Sequence, residues 1–233
     1  GDITSTSVIT AELVKTTENA FRDVNIAFAN EIAKICEIHA ADVWEVRDLV
    51  NRSPGRNMLL PGSGVGGHCI PKDPWLLLSG LDDSFKAGLI SKARQINDDM
   101  PNHVLGQIFL SLEELGEPES ERVVTVLGMS YLENSDDLRN SPSQALVNSL
   151  ISNSVKVYAH DPLVQGYQEY DVECIASKSD VLVIMVRHDL YKEIDWNQIY
   201  ELNPNLMVID TRNFDSDRTI VASGLRYKLL GLG

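Results

Sequence analysis

At 233 residues and 43% hydrophobic content, the chain is long enough for one large or two modest hydrophobic cores. A formal net charge of −14 disfavours a nucleic-acid surface, which needs clustered Lys and Arg. No run approaches the roughly 20 apolar residues of a membrane-spanning helix, and the start lacks a charged-then-apolar signal pattern, so a cytoplasmic protein is expected.

Leu13, Thr17, Ala20, Phe21, Val24, Ala27, Phe28, Ile32 and Ile35 recur at three- and four-residue steps, which predicts one long amphipathic helix from Thr10 to about His39. Asp42 stands three before Glu45, a capping-box spacing, and a shorter helix is expected over Val43 to Asn51. The glycines and prolines of Ser53 to Pro74 predict a loop. A second long helical pattern runs from Ser84 to Leu115, with Pro101 expected to kink or divide it. The polar stretch Gly116 to Glu121 marks a boundary. Beyond it, β-branched runs at Val123–Leu127, Val155–Tyr158, Val181–Val186 and Met207–Ile209 alternate with helical stretches near Ser143–Ser152 and Asp195–Leu202. Such alternation predicts a parallel sheet covered on both faces, so the expected fold is α/β overall: an all-helical module followed by a parallel α/β module.

The segment Pro61 to Trp75 places Cys69 four residues before Asp73, directly after a run of glycines. Glycines let backbone N–H groups approach a phosphate or oxyanion closely, a thiol can attack a carbonyl, and a carboxylate can handle a proton. Gly62, Gly64 and Gly67 fit the spacing of a dinucleotide-binding fingerprint, but Pro71 and Pro74 deny it the helix that must open within it. Lys15 and Asn19 lie four apart on the first helix and share a face, where they can bind an oxyanion jointly or simply form a solvated surface. Asp73 before Pro74 also reads as a helix opening, and Cys69 alone reads as a small buried hydrophobe. Lys72 and the loop amides are the flank that points to a reactive thiol instead. Asp136, Asp137 and Arg139 follow one strand, and Asp210, Thr211 and Arg212 follow another. Positions after parallel strands face the ligand crevice, with a surface salt bridge as the plain alternative for either arginine. Cys36, Cys69 and Cys174 are an odd number, against a disulfide framework, and no His or Cys stands at a spacing that supports a metal site beside His68 and Cys69.

Taken in order, Lys15-x-x-x-Asn19-Ala20-Phe21 with Asn30-Glu31, then Gly66-Gly67-His68-Cys69-x-x-Lys72-Asp73, then Gly128 with Asp137-x-Arg139, then Asp210-x-Arg212, resemble the nucleotide-sugar 6-dehydrogenases of the UDP-glucose/GDP-mannose dehydrogenase family. The run PGSGVGGHCIPKDPW is most similar to the branch acting on UDP-N-acetyl-D-mannosamine. The resemblance implies a central helical dimerisation domain over 1–117 and a C-terminal, Rossmann-like UDP-sugar-binding domain over 118–233. It also implies that the family's N-terminal NAD-binding domain, with a Glu and a Thr of the active site, has no counterpart here. The chain is then expected to be the C-terminal part of such an enzyme, inactive alone.

By the same resemblance the reaction is oxidation of a sugar C6 alcohol to the uronate in two hydride transfers to NAD, for surface-polysaccharide synthesis. Asp73, through water, helps take the hydroxyl proton, Lys15 and Asn19 stabilise the oxyanion, and Cys69 forms a thiohemiacetal and then a thioester. Arg52, Leu60, Gly62, Gly64, Gly66, Tyr131 and Arg212 are implied substrate contacts, Arg52 reaching a neighbouring subunit's substrate, and Lys72 and Arg139 are implied NAD contacts. Leu132 departs from the family's usual Lys and removes a hydrogen-bond donor. Competing readings are a non-catalytic UDP-sugar-binding and dimerisation module, UDP-glucose as the substrate, and a cysteine hydrolase pairing Cys69 with His39, His68, His103, His160 or His188.

Overall fold

The computed structural model describes residues 3–82, 85, 88–116 and 121–233. The predicted start of the second long helix at Ser84 and most of the Gly116–Glu121 boundary lie outside the described residues. Helix α1 spans Val8–Ile38 and is opened by Ser7, whose side chain accepts from the Thr10 amide. Helix α2 spans Val43–Asn51, and the Asp42 side chain caps it at the Trp44 amide. Helix α3, Asp73–Leu78, is a single short segment that carries Pro74 in its first turn.

Helix α4, Leu89–Leu115, runs through Pro101 without division, which removes one of the two outcomes expected of that proline. Proline removes the bond to the carbonyl four residues back, which here belongs to Asn97. That carbonyl faces Gly64, where an added Cβ would sit 3.2 Å from it. The helix stays whole because packing on both its sides outweighs the loss of one bond.

The second half holds β1 (Val123–Leu127), α5 (Pro142–Ser152), β2 (Lys156–His160), α6 (Val172–Ala176), β3 (Val181–Ile184), a 3-10 turn (Asp189–Glu193), α7 (Trp196–Leu202), β4 (Met207–Asp210), α8 (Thr219–Ser223) and β5 (Arg226–Leu229). These five strands pair in parallel in the order β2-β1-β3-β4-β5, which puts the topological switch between β1 and β3. Strand β5 escaped the sequence reading because RYKL is polar at an edge, without a β-branched run.

Alternate strand residues feed two cores. Val124, Val126, Val181, Val183, Met207 and Ile209 pack with Met100, Val104, Ile108 and Leu112 of α4. Leu182, Ile184 and Val208 pack on the other face with Tyr191, Trp196, Ile199, Phe214 and Ile220. Helix α4 therefore covers the sheet as well as packing on α1.

On α1 the buried side is lined by Ala20, Ala27, Ala29 and Ala33, while Leu13, Phe21, Phe28 and Ile35 of the apolar periodicity are exposed. Small residues let α4 approach closely, and the space between the helices holds a polar network instead of large side chains. Arg94 is ion-paired to Asp23, Asn97 donates to Asp23 at 2.8 Å, Asn30 donates to Asn97 at 2.9 Å, and Asn30 accepts from the Gly62 amide at 2.8 Å. Burial pushes the Asp23 carboxyl up, against the pull of Arg94. Among the described residues no helix is long and apolar enough to cross a membrane.

Candidate active site

The glycine loop lies in the seam between the helical half and the sheet, and the seam explains its composition. An added Cβ at Gly66 would lie 2.4 Å from Tyr131 Cβ and 2.8 Å from the Asn140 carbonyl oxygen, and at Gly62 it would lie 2.5 Å from Arg212 Nη1. Gly67 has a positive φ of 89° beneath the Tyr131 ring. The amides of Gly62 and Gly67 are already spent, on Asn30 and on the Arg139 carbonyl at 2.8 Å each. Those of Gly64, Val65 and Gly66 donate to no protein group among the described residues. Amides without a protein acceptor therefore lie in the middle of the loop and not at its ends.

The loop borders a cavity of about 370 Å³ lined by Leu60, Gly62, Gly64, Gly66, Tyr131 and Arg212, all expected substrate contacts, together with Leu132. Arg52 is not in that lining; it caps the C-terminal end of α2 and is exposed. Two arginines that the sequence reading passed over, Arg22 and Arg47, line it instead. Arg22 follows Lys15 by seven residues and Asn19 by three, so helical spacing alone already placed it on their face. Arg22 makes no hydrogen bond or ion pair among the described residues. Arg47 Nη1 binds Asp48 at 2.8 Å while its buried Nε has no partner. Arg212 is fixed through Nε to the Met185 carbonyl at 2.9 Å, which leaves its terminal nitrogens beside Gly62. Among the described residues, three guanidinium groups and no carboxylate line this cavity, in a chain whose net charge is −14.

Beside the cavity, the structure brings together Lys15, Asn19, Lys72 and Asp73. Asn19 Nδ2 donates to Asp73 Oδ2 at 2.5 Å and Lys72 Nζ to Asp73 Oδ1 at 2.6 Å. The Lys72 hydrogen bond, helped by Asn19 and the charges of Lys72 and Lys15, holds the buried Asp73 carboxyl below its ordinary range against the opposing effect of burial. Its side chain caps no backbone amide, so the helix-opening role falls to position and not to a hydrogen bond. Lys15 is exposed and pairs with Glu18 at 3.2 Å.

Cys69 is exposed and unbridged, and its carbonyl accepts from the Asp73 amide at 2.8 Å, closing the turn that sets thiol and carboxylate on one loop. Arg139 is exposed and forks onto Asp137 at 2.5 Å, the surface salt bridge weighed as the plain alternative. Asp210 is buried and accepts from the Arg212 and Asp215 amides and from Tyr227, while burial pushes its carboxyl up. Among the described residues no group of three His, Cys, Asp or Glu is placed to hold a metal ion.

The geometry defines a cysteine loop beside a cationic cavity, set between long helices and a parallel sheet, and comparison with known proteins gives that arrangement its family. The central-domain model of the UDP-glucose/GDP-mannose dehydrogenase family matches residues 9–99, and that family's UDP binding domain matches residues 125–216. The chain belongs to the UDP-glucose/GDP-mannose dehydrogenase family. UDP-N-acetyl-D-mannosamine dehydrogenase of Pyrococcus horikoshii is 40% identical over 234 residues, covering 100% of this chain and 54% of the relative. NDP-N-acetyl-D-galactosaminuronic acid dehydrogenase of Ralstonia nicotianae is 38% identical over 225 residues, covering 93% and 51%. The solved structure of UDP-D-ManNAc dehydrogenase from Pyrococcus horikoshii superposes with a TM-score of 0.89 at 39% identity, covering 100% of this chain and 54% of that one. The chain spans about half the length of the curated relatives it matches.

Proposed function

We propose that this chain is the substrate-binding and thiol-bearing portion of an NAD-dependent nucleotide-sugar 6-dehydrogenase, with UDP-N-acetyl-D-mannosamine as the substrate. The observation that carries the reading is the cavity lined, among the described residues, by three arginines, free loop amides and no acid, adjoining Cys69 and the Asn19–Asp73 pair. A diphosphate matches the guanidinium groups and the Gly64–Gly66 amides, and Arg22 lies on the α1 face that leads from the cavity to Asn19 and Lys15. Substrate laid along that face puts its sugar toward Cys69. The choice of the N-acetylmannosamine sugar rests on likeness to the Pyrococcus horikoshii protein.

In this reading Lys15 and Asn19 stabilise the negative oxygen at C6. Asp73, already an anion, orients Asn19 and holds water against the substrate hydroxyl. The Cys69 thiolate adds to the C6 aldehyde, giving a hemithioacetal whose carbon stays tethered between oxidations, and water later cleaves the acyl thioester to the acid. NAD supplies a hydride acceptor in such enzymes. The described residues build no dinucleotide cradle, since the glycine loop follows no strand and two of its amides are taken, so the NAD that would accept both hydrides is assigned to the part of the relatives' length that this chain does not span. Lys72 and Arg139 are the groups we assign to its edge, and Arg52 is left for substrate held by a neighbouring subunit. The helical domain, 1–117, carries a homodimer interface, and 118–233 forms the UDP-sugar-binding domain.

Isothermal titration with UDP and with NAD tests this. UDP gives a measurable heat, Arg212→Ala and Arg22→Ala each weaken it about tenfold or more, as loss of a charged hydrogen-bond donor implies, and NAD gives none. A folded protein silent to UDP would sink the proposal.

A further inference from the structure

Three loops meet at the C-terminal ends of β1, β2 and β3, beside the switch point of the sheet, and a polar cluster without solvent access joins them. Asp161, which follows β2, is fully buried. Its Oδ2 accepts from the Met129 and Ser130 amides at 2.8 and 2.9 Å, and its Oδ1 from the Leu163 and Val164 amides at 2.9 and 3.1 Å. His188, which follows β3 and is also fully buried, places Nε2 at 3.1 Å from both Asp161 Oδ2 and Ser130 Oγ. Its Nδ1 is 3.0 Å from the amide nitrogen of Asn134.

Hydrogen bookkeeping fixes the tautomer. The Asn134 N–H points its proton at Nδ1, so Nδ1 carries none and accepts. Nε2 then bears the proton and shares it between Asp161 and Ser130. That frees the Ser130 hydroxyl to donate to the Leu132 carbonyl at 3.0 Å. The Asp161 hydrogen bonds to His188 and to the backbone hold its carboxyl well below the usual range although burial opposes this, so the acceptor is an anion. The Ser, His and Asp here are not a hydrolytic set: one ring nitrogen serves both partners, and none of the three is accessible.

What the cluster holds is the Gly128–Asn134 loop, grasped at Met129, Ser130, Leu132 and Asn134. Tyr131, between two of those grips, and Leu132, held by its carbonyl, line the cationic cavity. Asn134 sits at a left-handed φ of 55° and clasps Asp189 in both directions, at 2.7 and 3.0 Å. We propose that His188, in its Nε2–H tautomer, is a positioning residue that holds Tyr131 and Leu132 at the wall of the nucleotide-sugar cavity by accepting from the Asn134 amide. This rests on the functional reading above for the identity of the ligand, but not for the clasp.

Two conservative variants separate the ring's two roles. His188→Asn puts an amide oxygen where Nδ1 stood and keeps the bond from Asn134, while His188→Gln reaches Asp161 in place of Nε2 and loses the Asn134 acceptor. Site-resolved amide exchange of the unliganded protein and UDP calorimetry are measured on both, with the melting temperature as a control. The expected result is at least tenfold faster exchange across 131–134 and about tenfold weaker UDP binding in His188→Gln, both restored toward the parent in His188→Asn. Equal exchange in the two variants, acceleration spread over the whole sheet, or local acceleration with unchanged UDP affinity each overturns the proposal. A parent protein that ignores UDP overturns the functional reading instead, and the exchange arm still decides the clasp.

Discussion

The glycines of the loop are not alike, and their neighbours say how. At Gly66 an added methyl group meets the Tyr131 Cβ and a backbone oxygen, both fixed, whereas at Gly62 it meets the guanidinium of Arg212, a side chain that can yield by loosening its bond to the Met185 carbonyl. Gly66→Ala should therefore cost about 1–3 kcal/mol, as overpacking does, while Gly62→Ala should cost less, about the worth of that one hydrogen bond, and disturb UDP binding more. Urea unfolding of the two variants side by side checks this; equal losses of stability would contradict it. At this scale the sequence was informative where residue types were tied to spacing. Asn19 does meet Asp73, although 54 positions separate them, and the cysteine loop forms where the prolines and glycines placed it. It was silent on Arg47 and on the tautomer of His188, because neither has a local pattern: each is defined by what other segments bring to it.

Among the elements, α1, α4 and the turn after β5 are joined by Glu37. Its Oε1 accepts from the Gly231 amide and from Gln107 at 2.8 Å each, and its Oε2 lies 2.8 Å from His103 Nε2. Burial alone would raise this carboxyl, but the hydrogen bonds from His103, Gly231 and Gln107 outweigh it and hold it below its ordinary range. A carboxyl lowered on folding contributes stability that is complete above its unfolded value, near 4.3, and is lost as pH falls through the folded value. Glu37→Gln should thus be about 1 kcal/mol less stable than the parent at pH 7, with the two converging below about pH 4. Melting curves across that interval check it, and a gap that widens in acid would refute it. Periodicity located α1, α2 and four of the five strands but did not reveal which face of α1 packs inside the chain. Apolar spacing marks every side of a helix that is covered by something, and on α1 the tightly packed side is made of alanines and polar groups that hydropathy does not register.

For the molecule as a whole, the exposed side of α1 has its own regularity. Val14, Phe21, Phe28 and Ile35 stand seven residues apart and are 62%, 70%, 50% and 44% exposed. A stripe at heptad spacing suits a second helix laid nearly parallel, which is the physical basis for the proposed homodimer. Sedimentation at micromolar concentration should give a dimer for the parent and a monomer for the double variant Phe21→Asp with Phe28→Asp; a monomeric parent would remove the idea. The two-part architecture and the parallel sheet were legible from the change of grammar after residue 115. The sharing of one core between the parts was not, since nothing in the pattern of α4 says that its two ends serve different partners.

That helix has a mechanical meaning. Arg94 and Asn97 bolt the first half of α4 to α1, and Val104, Ile108 and Leu112 of the second half are sunk in the core beneath the sheet. A rod clamped at both ends cannot act as a pivot. Swinging the helical half against the sheet would have to shear close-packed side chains, not bend a connector, so the cavity in the seam keeps its width and ligands must enter along it instead of waiting for jaws to open.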